Sequence, residues 1–343
     1  MIRFALVAAS ALGFMLTAAL CSLLLPLRGR PKPPPPKTQD AAPERTDLAG
    51  VPEDAASPSP ARPPAFGGLC LMLGALAAAG VGWTAACVAQ PQLLEGGVTS
   101  RLLAGLCGGL AFGAVGAADD LVRLRRRQPL GLRRGPRLLL EAGAAALVML
   151  LLRGTLPTGV LLPFGGYWEL GALAPVVWGG GLVALAECAR SADGADGTVC
   201  GAGFIAMLGL MTVLTILGWF ALGVFPAALA GALMAFLLWN FPPARMAAGT
   251  AGSLFVAGAI GCISLSAGYP ELAVPLALPF WLEGGMVALQ ILSCKLRGRP
   301  LFATAPWHHW LEKRGKGPVS VFYWLCAAAL LGLWMAVQMT RWA

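Results

Sequence analysis

Charged side chains are scarce in this chain of 343 residues. Asp, Glu, Lys and Arg make up only 12% of it, whereas 57% of the residues are hydrophobic. A soluble domain usually has about 25% charged residues. Apolar runs of roughly 20 residues recur along almost the whole length, and a bilayer accepts such runs as helices, whose backbone groups are paired internally. The composition therefore excludes a soluble enzyme and predicts an all-α, polytopic membrane protein.

Histidines and paired cysteines are also rare. The nine cysteines include no C-x-x-C pair, and most lie in apolar segments, where cysteine usually acts as a small hydrophobic residue. No disulfide framework is predicted. The only histidines are the neighbours His308 and His309, and no aspartate follows Asp196.

The apolar runs predict about ten transmembrane helices. They cover residues 2–27, 66–90, 101–118, 137–153, 169–188, 199–219, 222–239, 249–267, 271–293 and 319–340. Residues 1–27 are predicted to be a membrane anchor, because their apolar stretch is longer than that of a signal peptide. Residues 28–64, rich in Pro and Ala, are predicted to be a disordered loop, with a linker favoured over a docking site. The transmembrane core then covers residues 65–343.

The basic residues predict the orientation of the chain. All of the 25 lysines and arginines except Arg3, Arg101, Arg153 and Arg341 lie in alternate loops. By the positive-inside rule those loops, including 28–64, are cytoplasmic and both termini lie outside. The net charge of +9 thus reflects membrane topology, and no nucleic-acid partner is predicted.

Four aspartates lie at the predicted cytoplasmic helix ends: Asp119, Asp120, Asp193 and Asp196. A carboxylate near hydrocarbon is costly unless it is paired, hydrated or bound to a cation, so a functional site is favoured over solvated loop acids. Asp119 and Asp120 can share a proton or hold a cation, and the arginines that follow them can bind phosphate or anionic lipid headgroups.

Three further motifs carry polar groups on the same predicted side. The stretch Asp193–Gly197 contains two Asp-Gly turns that can bind a cation, a ribose or a base, although a plain turn looks similar. Small residues around Gly252 and Ser253 begin a helix, where an anion site and ordinary helix packing are the alternatives. His308 and His309 can bind phosphate or transfer protons, and they lie between two tryptophans of the kind found in interfacial belts.

In order and spacing these motifs resemble those of the polyprenyl-phosphate N-acetylhexosamine-1-phosphate transferases, and most closely those of the phospho-N-acetylmuramoyl-pentapeptide transferase family. The resemblance covers nearly the whole chain from the second span onward. It rests on Gly67-Gly68, Asp119-Asp120, Asp193-Gly194-Ala195-Asp196-Gly197, Asn240 with Pro243-Ala244, Gly252-Ser253-Leu254, and His308-His309 with Glu312, Lys313 and Gly315.

The resemblance implies ten helices, a homodimer, and a cleft on the cytoplasmic side of the bacterial inner membrane. There a UDP-sugar and undecaprenyl phosphate would react with Mg²⁺, release UMP and form a peptidoglycan precursor. It implies catalytic roles for Asp119, Asp120 and Asp193, with Asp193 near the metal. The implied substrate-binding residues are Asp196, Asn240, Arg123, Arg126, Arg137, Gly252, Ser253, His308 and His309.

Several residues depart from the family pattern. Thr250 occupies the position of a metal-binding aspartate, and a neutral hydroxyl is a poorer magnesium ligand than a carboxylate. Ala247 replaces an aromatic residue that stacks on uracil, Arg190 replaces an asparagine, and Trp307 replaces a histidine.

These departures leave two interpretations. A divergent Mg²⁺-dependent transferase is favoured over a catalytically weakened paralogue that acts as a lipid-binding or regulatory membrane protein. An ion-coupled transporter is disfavoured, because the acids are not at the bilayer midplane.

Overall fold

The computed structural model describes residues 2–25, 67–94, 97–126, 131–162 and 166–341. The predicted loop 28–64 lies outside this part of the chain. The helices are α1 (Ile2–Leu24), α2 (Gly67–Ala89), α3 (Val98–Arg126), α4 (Arg134–Leu151), α5 (Ala174–Ala192), α6 (Thr198–Ile216), α7 (Val224–Asn240), α8 (Gly249–Ala267), α9 (Ala273–Leu276), α10 (Leu278–Arg297), α11 (Trp307–Lys313) and α12 (Pro318–Met339).

The prediction of an all-α, multi-pass membrane protein is confirmed. Within the described ranges, eight helices are long and apolar enough to cross a bilayer. The segment with α9 and the helix α10 meet at a bend of 82° and together have the length and composition of a broken span or a re-entrant loop. The remaining predicted span, 137–153, corresponds to α4, an 18-residue helix that also carries Arg134, Arg137 and Glu141.

Glycines on α3 allow that helix to pack closely against α8, which is buried along its whole length. Residues spaced by three or four positions share one helix face, and small residues let two backbones approach each other. A Cβ built on Gly116 would lie only 2.3 Å from the Thr250 carbonyl oxygen, and one on Gly105 would lie 2.5 Å from Cδ1 of Ile263. This antiparallel contact brings the end of α3 to the beginning of α8.

The four aspartates lie at one end of the bundle, which we call the polar end. It contains the last two turns of α3, the last turns of α5 and α7, the first turns of α6 and α8, and α11. α2 also begins there, because the backbones of Gly68 and Gly252 are in contact.

The structure adds elements that were not predicted from the sequence. A two-stranded antiparallel hairpin, β1 (Gly159–Leu162) and β2 (Gly166–Glu169), precedes α5, which therefore begins later than predicted. α3 continues to Arg126, so that Asp119 and Asp120 lie inside a helix rather than at its end. The histidine pair is also helical, in the short α11.

Candidate active site at the polar end

Asp120 caps the N-terminus of α8. Its two carboxylate oxygens accept hydrogen bonds from the backbone N–H groups of Thr250, at 3.2 Å, and Ala251, at 2.9 Å. The first N–H groups of a helix have no partner within the helix and form its positive end, so a carboxylate is stabilised there. Asp120 thereby occupies two of the backbone donors that an anion site at this helix start would use.

Asp119 is completely buried and has three hydrogen-bond donors around it. It accepts from the backbone N–H of Leu132 at 2.7 Å, from the Thr250 hydroxyl at 3.1 Å and from the Arg123 guanidinium at 3.1 Å. A buried charge is tolerated when it is paired and hydrogen-bonded. Thr250 therefore acts as a donor to Asp119.

Asn240 and Asp196 join the turn between α5 and α6 to the connection between α7 and α8. Asn240 accepts a hydrogen bond from the Gly197 N–H at 3.1 Å and donates one to the Met246 carbonyl at 2.9 Å. Asp196 accepts from the backbone N–H of Ala244 at 3.0 Å. Asn240 is buried and Asp196 is exposed, so only Asp196 retains acceptor capacity toward solvent.

His308 reaches the same turn from α11. Its Nδ1 lies 2.8 Å from Oε2 of Glu283, and its backbone N–H donates to Oε1 of Glu283 at 3.1 Å. A Cβ built on Gly194, next to the half-buried Asp193, would lie 3.0 Å from Nε2 of His308. The imidazole thus lies between Glu283 and the aspartate turn.

His309 is more exposed than His308. Its Nδ1 lies 2.9 Å from Oε2 of Glu312, and the two imidazole rings are 4.3 Å apart. Both histidines are therefore ordered by carboxylates, one buried and one at the surface.

The arginines expected to bind substrate have three different environments. Arg137 is buried and forms ion pairs with Glu187 at 3.0 Å and Glu141 at 3.7 Å, so the structure does not bring it to an open site. Arg126 is exposed. Arg123 combines its ion pair to Asp119 with a side chain that is 28% exposed.

Gly252 and Ser253 lie inside the packing at the start of α8. A Cβ built on Gly252 would lie 3.3 Å from the Gly68 Cα, and the Ser253 hydroxyl donates to carbonyls of its own helix at 3.2 Å. Both are buried, and the structure does not bring them to a surface where they could meet a phosphate. Of the two alternatives in the sequence, helix packing explains these residues.

Three functional candidates were missed from the sequence: Glu141, Glu187 and Glu283. Glu141 and Glu283 are fully buried. An acid within an apolar span is expensive and marks a paired or functional position, and this signal was available in the sequence. Two of these pairs are local and were visible there, Arg137 with Glu141 and Arg190 with Glu187, whereas the distant partners were not.

The polar side chains fit a magnesium ion poorly. Mg²⁺ requires near-octahedral oxygen ligands at about 2.1 Å. Asp120 uses both oxygens on backbone N–H groups, and Asp119 faces a guanidinium. Among the described residues there is no group of three or more His, Cys, Asp or Glu side chains placed to hold a metal. The predicted metal residues Asp193 and Thr250 do not belong to such a group.

Comparisons with known proteins match this arrangement to one family. The model of glycosyl transferase family 4 matches residues 102–268. The phospho-N-acetylmuramoyl-pentapeptide-transferase of Lactiplantibacillus plantarum is 30% identical over 219 residues, which cover 62% of this chain and 67% of that protein. The proteins of the same name from Heliobacterium modesticaldum and Moorella thermoacetica are 33% and 34% identical, covering 68% and 65% of this chain and 73% of each relative.

Proposed function

Because this chain belongs to the phospho-N-acetylmuramoyl-pentapeptide-transferase family as a divergent member, we propose that it transfers a phospho-sugar from a UDP-sugar to a polyprenyl phosphate. The observation that carries the proposal is a chain of contacts at the polar end. Asp119 binds the first turn of α8, Asn240 joins the Asp193–Gly197 turn to the segment that leads into α8, and His308 lies against Gly194 of that turn. In its most specific form, the sugar is phospho-N-acetylmuramoyl-pentapeptide and the acceptor is undecaprenyl phosphate.

The reaction exchanges one phosphoanhydride bond for another. An oxygen of the lipid phosphate attacks the phosphorus attached to the sugar, and a new P–O bond forms. The bond from that phosphorus to the bridging oxygen of the diphosphate breaks, and UMP leaves with the electron pair. The product is a polyprenyl diphosphate sugar. Such a step requires in-line positioning and compensation of negative charge more than covalent chemistry by the protein.

Arg123 is well suited to hold a phosphate. One guanidinium nitrogen is bound to Asp119, the side chain is 28% exposed, and its buried Nε has no hydrogen-bond partner among the described residues. Arginine binds phosphate oxygens through paired N–H groups. Asp119 then orients the guanidinium of Arg123.

The histidines and the aspartate turn are assigned to the other substrate. His308 directs Nε2 toward the turn, where it can donate to or accept from a phosphate or sugar group, and His309 lies beside it. Asp193 orients the sugar nucleotide from the end of α5. The exposed Asp196 retains oxygen acceptors for the nucleobase.

The location follows from the same proposal. The polar end would face the cytoplasm of a bacterial inner membrane, where UDP-sugars are made, with both termini outside and the protein as a homodimer. The distribution of basic residues supports this orientation.

The direct test is UMP release by the purified protein with undecaprenyl phosphate and a panel of UDP-sugars, with the lipid product identified by mass spectrometry. Asp193→Asn is the matched inactive variant. We expect UMP and lipid product in equal amounts from the parent and neither from the variant. UMP without lipid product would indicate hydrolysis and contradict the proposed acceptor.

A second candidate function is lipid binding without turnover. It is favoured by one observation: the carboxylates of Asp119 and Asp120 are already satisfied by groups of the protein itself. A parent protein that binds undecaprenyl phosphate but releases no UMP with any sugar nucleotide would establish this function.

A further inference from the structure

Asp119, Asp120, Arg123 and Thr250 form a unit whose charges are compensated within the protein. The negative charge of Asp119 faces the guanidinium of Arg123 at 3.1 Å, and the carboxylate of Asp120 faces the positive end of α8. A buried carboxylate that lacked such partners would have to bind a proton or a cation from solution. Here the protein supplies the compensating groups.

Thr250 completes this unit with a hydrogen bond that an acid could not make. Its Oγ1 lies 3.1 Å from Oδ2 of Asp119, and the side chain is 1% exposed. The family that the chain resembles has aspartate at this position, and an ionised aspartate here would place two carboxylates against each other. Like charges at that separation repel strongly and require a shared proton or a cation between them. The Thr250 hydroxyl instead donates a hydrogen bond to Asp119, so that neither a shared proton nor a cation is needed between the two side chains.

The packing holds this geometry in place. A Cβ built on Gly116 would lie 2.3 Å from the carbonyl oxygen of Thr250 and 2.7 Å from the Cα of Ala251, so the backbones of α3 and α8 are in direct contact. Leu132 adds a second connection, because its N–H binds Asp119 from the segment that leads into α4. A metal ion bound between these groups would have to displace hydrogen bonds that three segments share.

We propose that Arg123 and Thr250 together replace the divalent cation at the polar end, so that the site binds phosphate without a bound metal. Arg123 supplies the positive charge, and Thr250 removes the carboxylate that would need a metal. The statement about phosphate rests on the proposed function, whereas the statement about the metal stands on the geometry alone.

The metal part is tested with Mn²⁺, which accepts the same oxygen ligands as Mg²⁺ and whose free form is measured by electron paramagnetic resonance. The proteins are the full chain and its Thr250→Asp, Arg123→Gln and double variants. Thr250→Asn with Arg123→Gln is the control, because asparagine matches aspartate in size but lacks the charge. Thermal unfolding of each variant verifies that the fold is retained.

We expect the parent to bind Mn²⁺ no more tightly than about 1 mM, and the aspartate double variant to bind one ion at least about tenfold more tightly, because a carboxylate is added and a competing cation removed. The affinity of the single Thr250→Asp variant for Mn²⁺ should rise less, and that of the asparagine control should not rise. A tight Mn²⁺ site in the parent that Asp119→Asn abolishes would overturn the proposal. A folded aspartate double variant that binds Mn²⁺ no more tightly than the parent would also overturn the proposal.

The phosphate part is tested by UMP release in EDTA. Activity that stays within about twofold of that in Mg²⁺ supports the replacement, since a chelated site with a required metal loses its rate. Activity that EDTA abolishes and Mg²⁺ restores would overturn it while leaving the proposed transferase intact. Absence of UMP release under all conditions would contradict the transferase, and the Mn²⁺ titration would still decide the metal part.

Discussion

Glu283 and His308 form a buried pair in which the carboxylate contacts both the imidazole Nδ1, at 2.8 Å, and the backbone N–H of the same histidine, at 3.1 Å. Their side chains are 0% and 2% exposed. A carboxylate on one ring nitrogen places the proton on that nitrogen and leaves the other available for a ligand. Glu283 is therefore a positioning residue, and Nε2 of His308 is the atom presented toward the aspartate turn.

Replacing Glu283 with alanine should change the tautomer of His308. In the parent we expect the Nδ1 proton to be held by the Glu283 carboxylate, whereas in Glu283→Ala the ring loses this preference. Because the chain has only two histidines, ¹⁵N-histidine labelling gives a spectrum with two rings, and His309→Gln assigns them. Glu312→Ala, which affects only the exposed pair with His309, is the control. Identical His308 signals in parent and Glu283→Ala would contradict the positioning role.

Thr250→Val should destabilise the protein, because Asp119 loses a donor while it stays buried. A buried acceptor without its partner costs about 1–3 kcal/mol. Thr250→Ser keeps the hydroxyl and should stay within about 0.5–1.5 kcal/mol of the parent, the usual cost of losing one buried methyl group. Thermal unfolding in one detergent measures both variants. Equal stability of Thr250→Val and the parent would show that the hydroxyl does not stabilise the buried Asp119 carboxylate.

Gly116→Ala should separate α3 from α8 and disturb the polar end. The added methyl group would meet the Thr250 carbonyl and the Ala251 backbone, neither of which can turn away. Overpacking of this kind usually costs about 1–3 kcal/mol. Gly143→Ala and Gly180→Ala, at positions where an added methyl group would meet open space, should change the unfolding temperature little. An unchanged unfolding temperature for Gly116→Ala would contradict the close contact.

Arg137→Gln tests whether this arginine binds substrate or supports the structure. The substitution leaves the fully buried Glu141 without its cation, while Glu187 keeps Arg190 at 3.3 Å, and breaking a buried ion pair costs about 3–5 kcal/mol. Arg126→Gln, on the exposed surface, should leave the unfolding temperature unchanged. If Arg137→Gln were as stable as the parent and raised only the KM for the sugar nucleotide, the substrate role implied by the family resemblance would be correct instead.

The membrane fold was predictable because hydropathy is a local property. Whether a segment of about 20 residues enters the bilayer depends on its own side chains. Each predicted span overlaps a helix, and eight of the helices described are long and apolar enough to cross a bilayer. The family was predictable for a related reason, since a series of short motifs in a fixed order is visible without any structure. The helix ends were less predictable: α3 continues past Asp119 and Asp120 because arginines on its last turn extend the helix beyond the apolar stretch.

The roles of individual polar residues were decided only by the tertiary structure. Thr250 and Asp119 are 131 positions apart, and nothing in either segment indicates that the hydroxyl donates to that carboxylate. The pairs Glu283 with His308 and Arg137 with Glu187 likewise depend on how the helices pack. The residues that could carry chemistry follow from the sequence, because polar groups in an apolar chain are few and costly. Which of them face each other follows from helix packing, and this geometry makes Asp120 the cap of α8 and pairs Asp119 with Thr250 and Arg123.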